Sequence, residues 1–213
     1  MVVSKVAVGE RHSAMITQQG HLYMMGNNSK GQLGQQTQSL NVGSPSLVET
    51  LKHQRVTSVT CGVDSTTCIV AAAPGNELAT VYAWGHNKHG QLGLPSTQRV
   101  IYTPTRVEVF DLLDVSITQV SAGAKHTLYL TAKGEAVASG QNKHGQCGFN
   151  PEECQKTDQP FKLLSIKDRV VQISAGQTHS LFVTDRQVCL RTSMQEPYPL
   201  ELEDVEQAAA GSA

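Results

Sequence analysis

Along most of the chain, apolar positions recur every second residue. His12-Ser-Ala14-Met-Ile16-Thr, His126-Thr-Leu128-Tyr-Leu130-Thr and His179-Ser-Leu181-Phe-Val183-Thr all alternate, the period of a strand with one buried face. Gln19-Gly20 and Lys133-Gly134 then supply turn chemistry. Leu22-Tyr23-Met24 and Ala136-Val137-Ala138 resume the apolar pattern, so each pair predicts a hairpin. Short apolar runs of small residues precede Gly9, Gly62, Gly123 and Gly176: Lys-Val-Ala-Val, Ser-Val-Thr-Cys, Gln-Val-Ser-Ala and Gln-Ile-Ser-Ala. About four short strands per unit are expected, joined by Gly/Asn turns and one longer polar loop. No segment carries a convincing amphipathic helix.

The units repeat. Gly9, Gly62, Gly123 and Gly176 are separated by 53, 61 and 53 residues, while Gly26, Gly85 and Gly140 are separated by 59 and 55. Gly31, Gly90 and Gly145 keep those last two separations. A fixed period of this size decides the fold class before any single motif does. The frame reads Pro-x-x-apolar, then Val/Ile-x-small-Gly-x-x-His, an alternating run, and Gly-x-Asn-x-x-Gly-Gln-x-Gly. Its prolines are Pro45, Pro104 and Pro160, with Val48, Val107 and Leu163 three places on. The glycine element occurs at Gly26–Gly34, Gly85–Gly93 and Gly140–Gly148. The repeats run over 1–44, 45–103, 104–159 and 160–196, with a further partial frame over 197–213. Four-stranded units at a fixed period predict an all-β fold, an incomplete β-propeller of about four four-stranded blades. Ala7/Val8, Thr60/Cys61, Ser121/Ala122 and Ser174/Ala175 are small enough for strands crowded near a propeller axis.

The Gly-x-x-His and Gly-x-Asn-x-x-Gly-Gln-Leu-Gly elements resemble the repeats of the regulator of chromosome condensation family across nearly the whole chain. Trp84 stands where that family often has tryptophan before the glycine. Met25 and Ser139 fill the matching places, and Ser65 replaces the histidine of the second repeat. The resemblance implies a seven-bladed parent propeller, so the sequence reads as about four blades cut mid-repeat. The glycine motif is lost after Thr184. Pro197-Tyr-Pro199-Leu-Glu-Leu202 resembles a next opening strand, and 205–213 the glycine run after it. Such an arc leaves open sheet edges, and the remaining blades or a second chain are expected to close it.

Composition narrows the function classes. The 213 residues carry 17 Lys+Arg against 18 Asp+Glu, for a formal charge of −1, which excludes a strongly basic general nucleic-acid binder. Cys68 to Pro74 is the longest apolar stretch, too short to span a bilayer, so no membrane partner is expected. The N-terminal run is interrupted by Lys5 and does not read as a signal peptide. Five cysteines argue against a complete disulfide framework, and cytoplasm or nucleus is the expected location.

Most of the chemistry-bearing residues have structural readings. His12, His126 and His179 occupy equivalent places on successive blades, too far apart to share an ion, and are expected to make hydrogen bonds. The glycine element lacks the Gly-Lys-Ser/Thr end of a phosphate loop, and Asn28, Asn87 and Asn142 should bond turn amides. Cys61/Cys68 and Cys147/Cys154 are spaced too widely for the usual zinc pairs. No catalytic, cofactor-binding or metal-binding residues are expected. The candidate partner contacts are Lys30, Lys88, His89, Lys143 and His144, at the variable places of the glycine loops. A ridge of these could meet an acidic partner or a phosphate backbone. The loops 35–44, 94–103 and 149–159 vary in length and composition, as the specificity loops of repeat scaffolds do. The resemblance implies protein partners: an interaction scaffold first, with exchange activity towards a small GTPase, or chromatin or tubulin association, as alternatives. A single tryptophan is incompatible with the tryptophan-cluster photoreceptor of the same family.

Overall fold

The computed structural model describes residues 2–35, 39–75, 78–95, 97–162, 166–187, 189–192, 198–200 and 209. Leu163 and most of the partial frame 197–213 lie outside them. The described strands form four four-stranded antiparallel sheets, each wound in chain order. The first holds β1 (Val3–Val8), β2 (His12–Thr17), β3 (Leu22–Asn27) and β4 (Asn41–Leu47). The second holds β5 (Val56–Cys61), β6 (Ser65–Val70), β7 (Thr80–His86) and β8 (Val100–Arg106). In the third are β9 (Ile117–Ala122), β10 (His126–Thr131), β11 (Ala136–Gln141) and β12 (Lys156–Lys162). The fourth has β13 (Val170–Ala175), β14 (Ser180–Thr184), β15 (Cys189–Thr192) and β16 (Tyr198–Pro199). These are four blades of a β-propeller.

The Pro-led strands do not open blades. β4, β8 and β12 carry Pro45, Pro104 and Pro160, and each is the outermost strand of the sheet before it. An edge strand tolerates proline because the N–H it lacks would face solvent. The frames 45–103, 104–159 and 160–196 therefore each straddle two blades, tying one to the next.

β5 packs against β1 and β2, β9 against β5 and β6, and β13 against β9 and β10. Side chains link neighbouring inner strands where the backbones diverge. Lys5 Nζ donates to the Thr57 carbonyl at 2.7 Å. The Ala122 amide donates to Thr60 Oγ1 at 3.0 Å, and the Ala175 amide to Ser121 Oγ at 2.9 Å. Gln119 makes a reciprocal pair with the Ile173 backbone at 3.2 and 3.1 Å. The small inner-strand residues are placed as expected: Val8, Cys61, Ala122 and Ala175 face one cavity of about 380 Å³ at the ends of the inner strands.

Between blades the core is apolar, with Trp84, Tyr129 and Phe182 wholly buried. Phe110 enters it from α1 (Val109–Leu112), its ring 4.9 Å from that of Tyr129. On the first blade, Val6 is 69% exposed, whereas its repeat equivalents Val120 and Ile173 are 6% and 2% exposed beneath a neighbouring sheet.

Candidate interaction face

Antiparallel pairing brings the two glycine elements to the same end of each of the first three blades. His12 lies opposite Gly26, Ser65 opposite Gly85, and His126 opposite Gly140. The turns between first and second strands and the long loops between third and fourth strands therefore share one face.

The Gly-x-x-His turn is a packing unit between blades. A Cβ on Gly62 would sit 2.6 Å from the Gly123 carbonyl, and Cβ atoms on Gly9 and Gly123 would collide with the carbonyls of Gly62 and Gly176. Only glycine lets adjacent inner strands approach this closely. The histidine then reaches the next blade. His12 Nε2 lies 3.0 Å from Thr66 Oγ1, which donates to the Gln32 carbonyl at 2.8 Å. His126 Nε2 lies 2.9 Å from Ser180 Oγ, which donates to the Gln146 carbonyl at 2.7 Å. Each hydroxyl has a single proton, committed to that carbonyl, so the imidazole Nε2–H is the donor. Nδ1 of both rings is buried without a hydrogen-bond partner among the described residues. Burial accordingly lowers the His12 pKa to about 4, opposed by the Asp64 carboxylate and the Ser65 backbone. It lowers that of His126 to about 3, assisted by His179.

The glycine loops are held equally firmly. Asn28, Asn87 and Asn142 accept from the amides of Leu33, Leu92 and Cys147 at 3.1, 3.2 and 2.9 Å. The side chains of Gln32, Gln91 and Gln146 accept from the amides of Lys30, His89 and His144 at 2.8, 2.9 and 2.9 Å. Asparagine and glutamine thus fix the loop backbone, and the intervening side chains are left to project. Lys30, Lys88, Lys143 and His144 are exposed and His89 is half-buried.

Three of the five candidate residues gather. Burial lowers the His86 pKa first, Asp64 pulls against it, and Lys30, Lys88 and Lys125, from three successive blades, lower it further. His89 meets His86 edge-on at 6.2 Å. Its pKa is lowered to about 4, by burial first and then by Lys125, His86, Lys88 and Lys156. Lys143 and His144 sit on the next glycine loop. His86, Lys125 and Lys156 are the members the sequence reading did not single out. His86 and Lys125 occupy variable places beside the signatures, which was the available signal. Arg11 and Gln32 hold Asp64 at the edge of the cluster, at 3.2 and 3.3 Å.

Fold and face together define a propeller with a rigid scaffold and a variable, locally basic loop face. The regulator of chromosome condensation (RCC1) repeat matches at residues 19–69, 79–130 and 133–183, and a second form of that repeat at 3–32 and 117–146. The chain belongs to the RCC1 repeat family. It is 35% identical to the human probable E3 ubiquitin-protein ligase HERC3 over 85% of this chain and 21% of that protein. It is 33% identical to human protein RCC2 over 66% of this chain and 25% of the relative. To the human X-linked retinitis pigmentosa GTPase regulator it is 36% identical, over 68% and 13%. The chain thus spans a quarter or less of these relatives. Human WBSCR16 superposes with a TM-score of 0.81 at 23% identity, over 97% of this chain and 57% of that one. Yeast Prp20p gives 0.80 at 18% identity, over 99% and 54%. Both show the propeller fold.

Proposed function

We propose that the chain is a protein-interaction scaffold, acting in the cytoplasm or nucleus, whose glycine-loop face carries recognition. The observation behind this reading is the division of labour between repeated and variable residues. The glycines, Asn28, Asn87, Asn142, His12 and His126 are consumed in turns and blade contacts, while Lys30, Lys88, His89 and Lys125 converge from three blades with no comparable structural task. Lys143 and His144 extend the same face on the third blade. Closure by further blades or a second chain belongs to this reading, and no catalytic or cofactor role does.

A second reading is binding and nucleotide exchange on a small GTPase. It is supported by the GTPase regulator among the relatives and by the solved Prp20p, whose binding to Gsp1p and histones is named with its structure. Chromatin or tubulin association is a third. Affinity capture from cell extract with the full chain, in nucleotide-stripped and GTP-loaded conditions, separates them. The scaffold reading expects the same partners in both conditions and their loss in Lys88→Glu/Lys125→Glu. A GTPase enriched only when nucleotide is stripped would transfer the assignment to exchange.

A further inference from the structure

On the outer rim of the second blade, β8 and α1 border a groove of about 640 Å³. Ile101, Tyr102, Leu94, Val109 and Leu112 supply its apolar lining, and Gln159 of the third blade closes one side. Leu112 is 82% exposed, Leu113 beside it 65% and Tyr102 55%. Nothing in the repeat requires this. The corresponding connection between the first two blades is a single 3-10 turn, Glu49–Leu51, followed by Lys52, His53 and Gln54. Its buried Leu51 matches the buried Phe110, so core packing is served alike in both connections. The exposed leucines are an addition. Exposed bulky aliphatics beside a concave, partly apolar groove are features of binding surfaces.

The charge at the groove identifies its occupant. Arg106 is the basic residue of the lining, and its guanidinium is committed to Asp111 at 2.7 Å. Glu108 also lines the groove and acts on the same guanidinium. Asp114 follows Leu113 directly. With Arg106 paired to Asp111, Glu108 leaves an excess of negative charge beside the apolar lining. We infer that this groove docks a short peptide segment of a partner protein, with one or two bulky apolar side chains seated against Leu112, Tyr102 and Ile101 and a Lys or Arg flank facing Glu108. This surface is separate from the basic loop face and selects the opposite charge, so it stands whichever partner that face takes.

The test is selection of a phage-displayed library of random 16-residue peptides on the full chain. The expected result is enrichment of peptides pairing Leu, Ile, Phe or Trp with adjacent Lys or Arg. A fluorescein-labelled consensus peptide should then bind about tenfold or more weakly to Leu112→Ser/Leu113→Ser. Both leucines are exposed, so that variant should melt as the parent does, and the labelled peptide should still bind Lys88→Glu normally. Glu108→Lys should shift selection from basic to acidic flanks. Three results would overturn the inference: no enriched motif, a motif retained on the leucine variant, or self-association that the leucine variant abolishes. The last would make a second copy of this chain the occupant.

Discussion

Protonation of His12 should loosen the boundary between the first two blades. The ring donates through Nε2 to Thr66, and its buried Nδ1 has no hydrogen-bond partner among the described residues, so burial opposes a second proton more than Asp64 and Ser65 favour it. The pKa falls from 6.5 in the open chain to about 4 in the folded one. Between those values the unfolded chain binds more protons, so this contribution to stability is intact above about 6.5 and lost as pH falls. At about pH 5 the unfolded imidazole is nearly all charged and the folded one nearly all neutral, a loss of about 2 kcal/mol relative to about pH 7.5. That lowers a urea midpoint by about 1 M. Trp84 is the lone tryptophan, buried at the same boundary, where its Nε1 donates to the Gln32 carbonyl that Thr66 also uses. Urea titration followed by its fluorescence therefore reports the right place. His126 adds a loss of the same sign elsewhere, so the decisive quantity is the difference between parent and variant. His12→Gln keeps a side-chain donor without the titration and should lose about 2 kcal/mol of the pH dependence. A His12→Gln protein as acid-sensitive as its parent would refute the assignment of tautomer and burial.

Two further outcomes follow from the same packing. Gly90 has φ +75°, and a Cβ there would lie 2.6 Å from the Thr157 carbonyl; Gly90→Val should cost about 2 kcal/mol or more, and an unchanged melting temperature would contradict the loop geometry. Cys61, Cys68, Cys147 and Cys189 are buried and Cys154 half-buried, with burial raising the Cys61 pKa to about 12 and pushing up those of Cys68, Cys147 and Cys189. An aromatic disulfide reagent should label one thiol quickly and the other four only on unfolding, whereas two fast thiols would place a second cysteine at the surface.

The blade plan was legible because it is local. Period-two alternation with Gly turns identifies hairpins, and small residues before each Gly-x-x-His locate the crowded inner strands. The hydrogen-bonding roles of the three asparagines and of His12 and His126 were legible because repetition at equivalent places points to structural contacts. The placement of the Pro-led strands was not, since which sheet an edge strand joins depends on pairing between segments that adjacent sequence does not specify. The basic cluster was half legible. Lys30, Lys88 and His89 share a motif position or neighbour it, but Lys125 reaches them only through the angle between successive blades. Leu112 and Leu113 escaped notice because the four-residue α1 is too short to show a helical period.

The way each glycine loop is fixed explains how one scaffold can serve different partners. Gln32, Gln91 and Gln146 bind the backbone amides of Lys30, His89 and His144 and never their side chains. Asn28, Asn87 and Asn142 likewise accept from backbone amides two places after the central glycine. The loop shape is therefore independent of the identity of the projecting residues. Substitutions at exposed positions of this kind usually change stability by less than about 0.5 kcal/mol. Ser29, Lys88 and Lys143 form one series of projecting positions, with Ser29 Oγ donating to Asn27 Oδ1 at 2.7 Å, and Lys30, His89 and His144 form another. Each of the first three blades adds one pair to a grid whose spacing is set by the glycine contacts between inner strands. Binding can then change by substitution on the grid while the blades stay as they are. On this chain the second blade, with Lys88 and His89 drawn together with His86, Lys30 and Lys125, concentrates that charge.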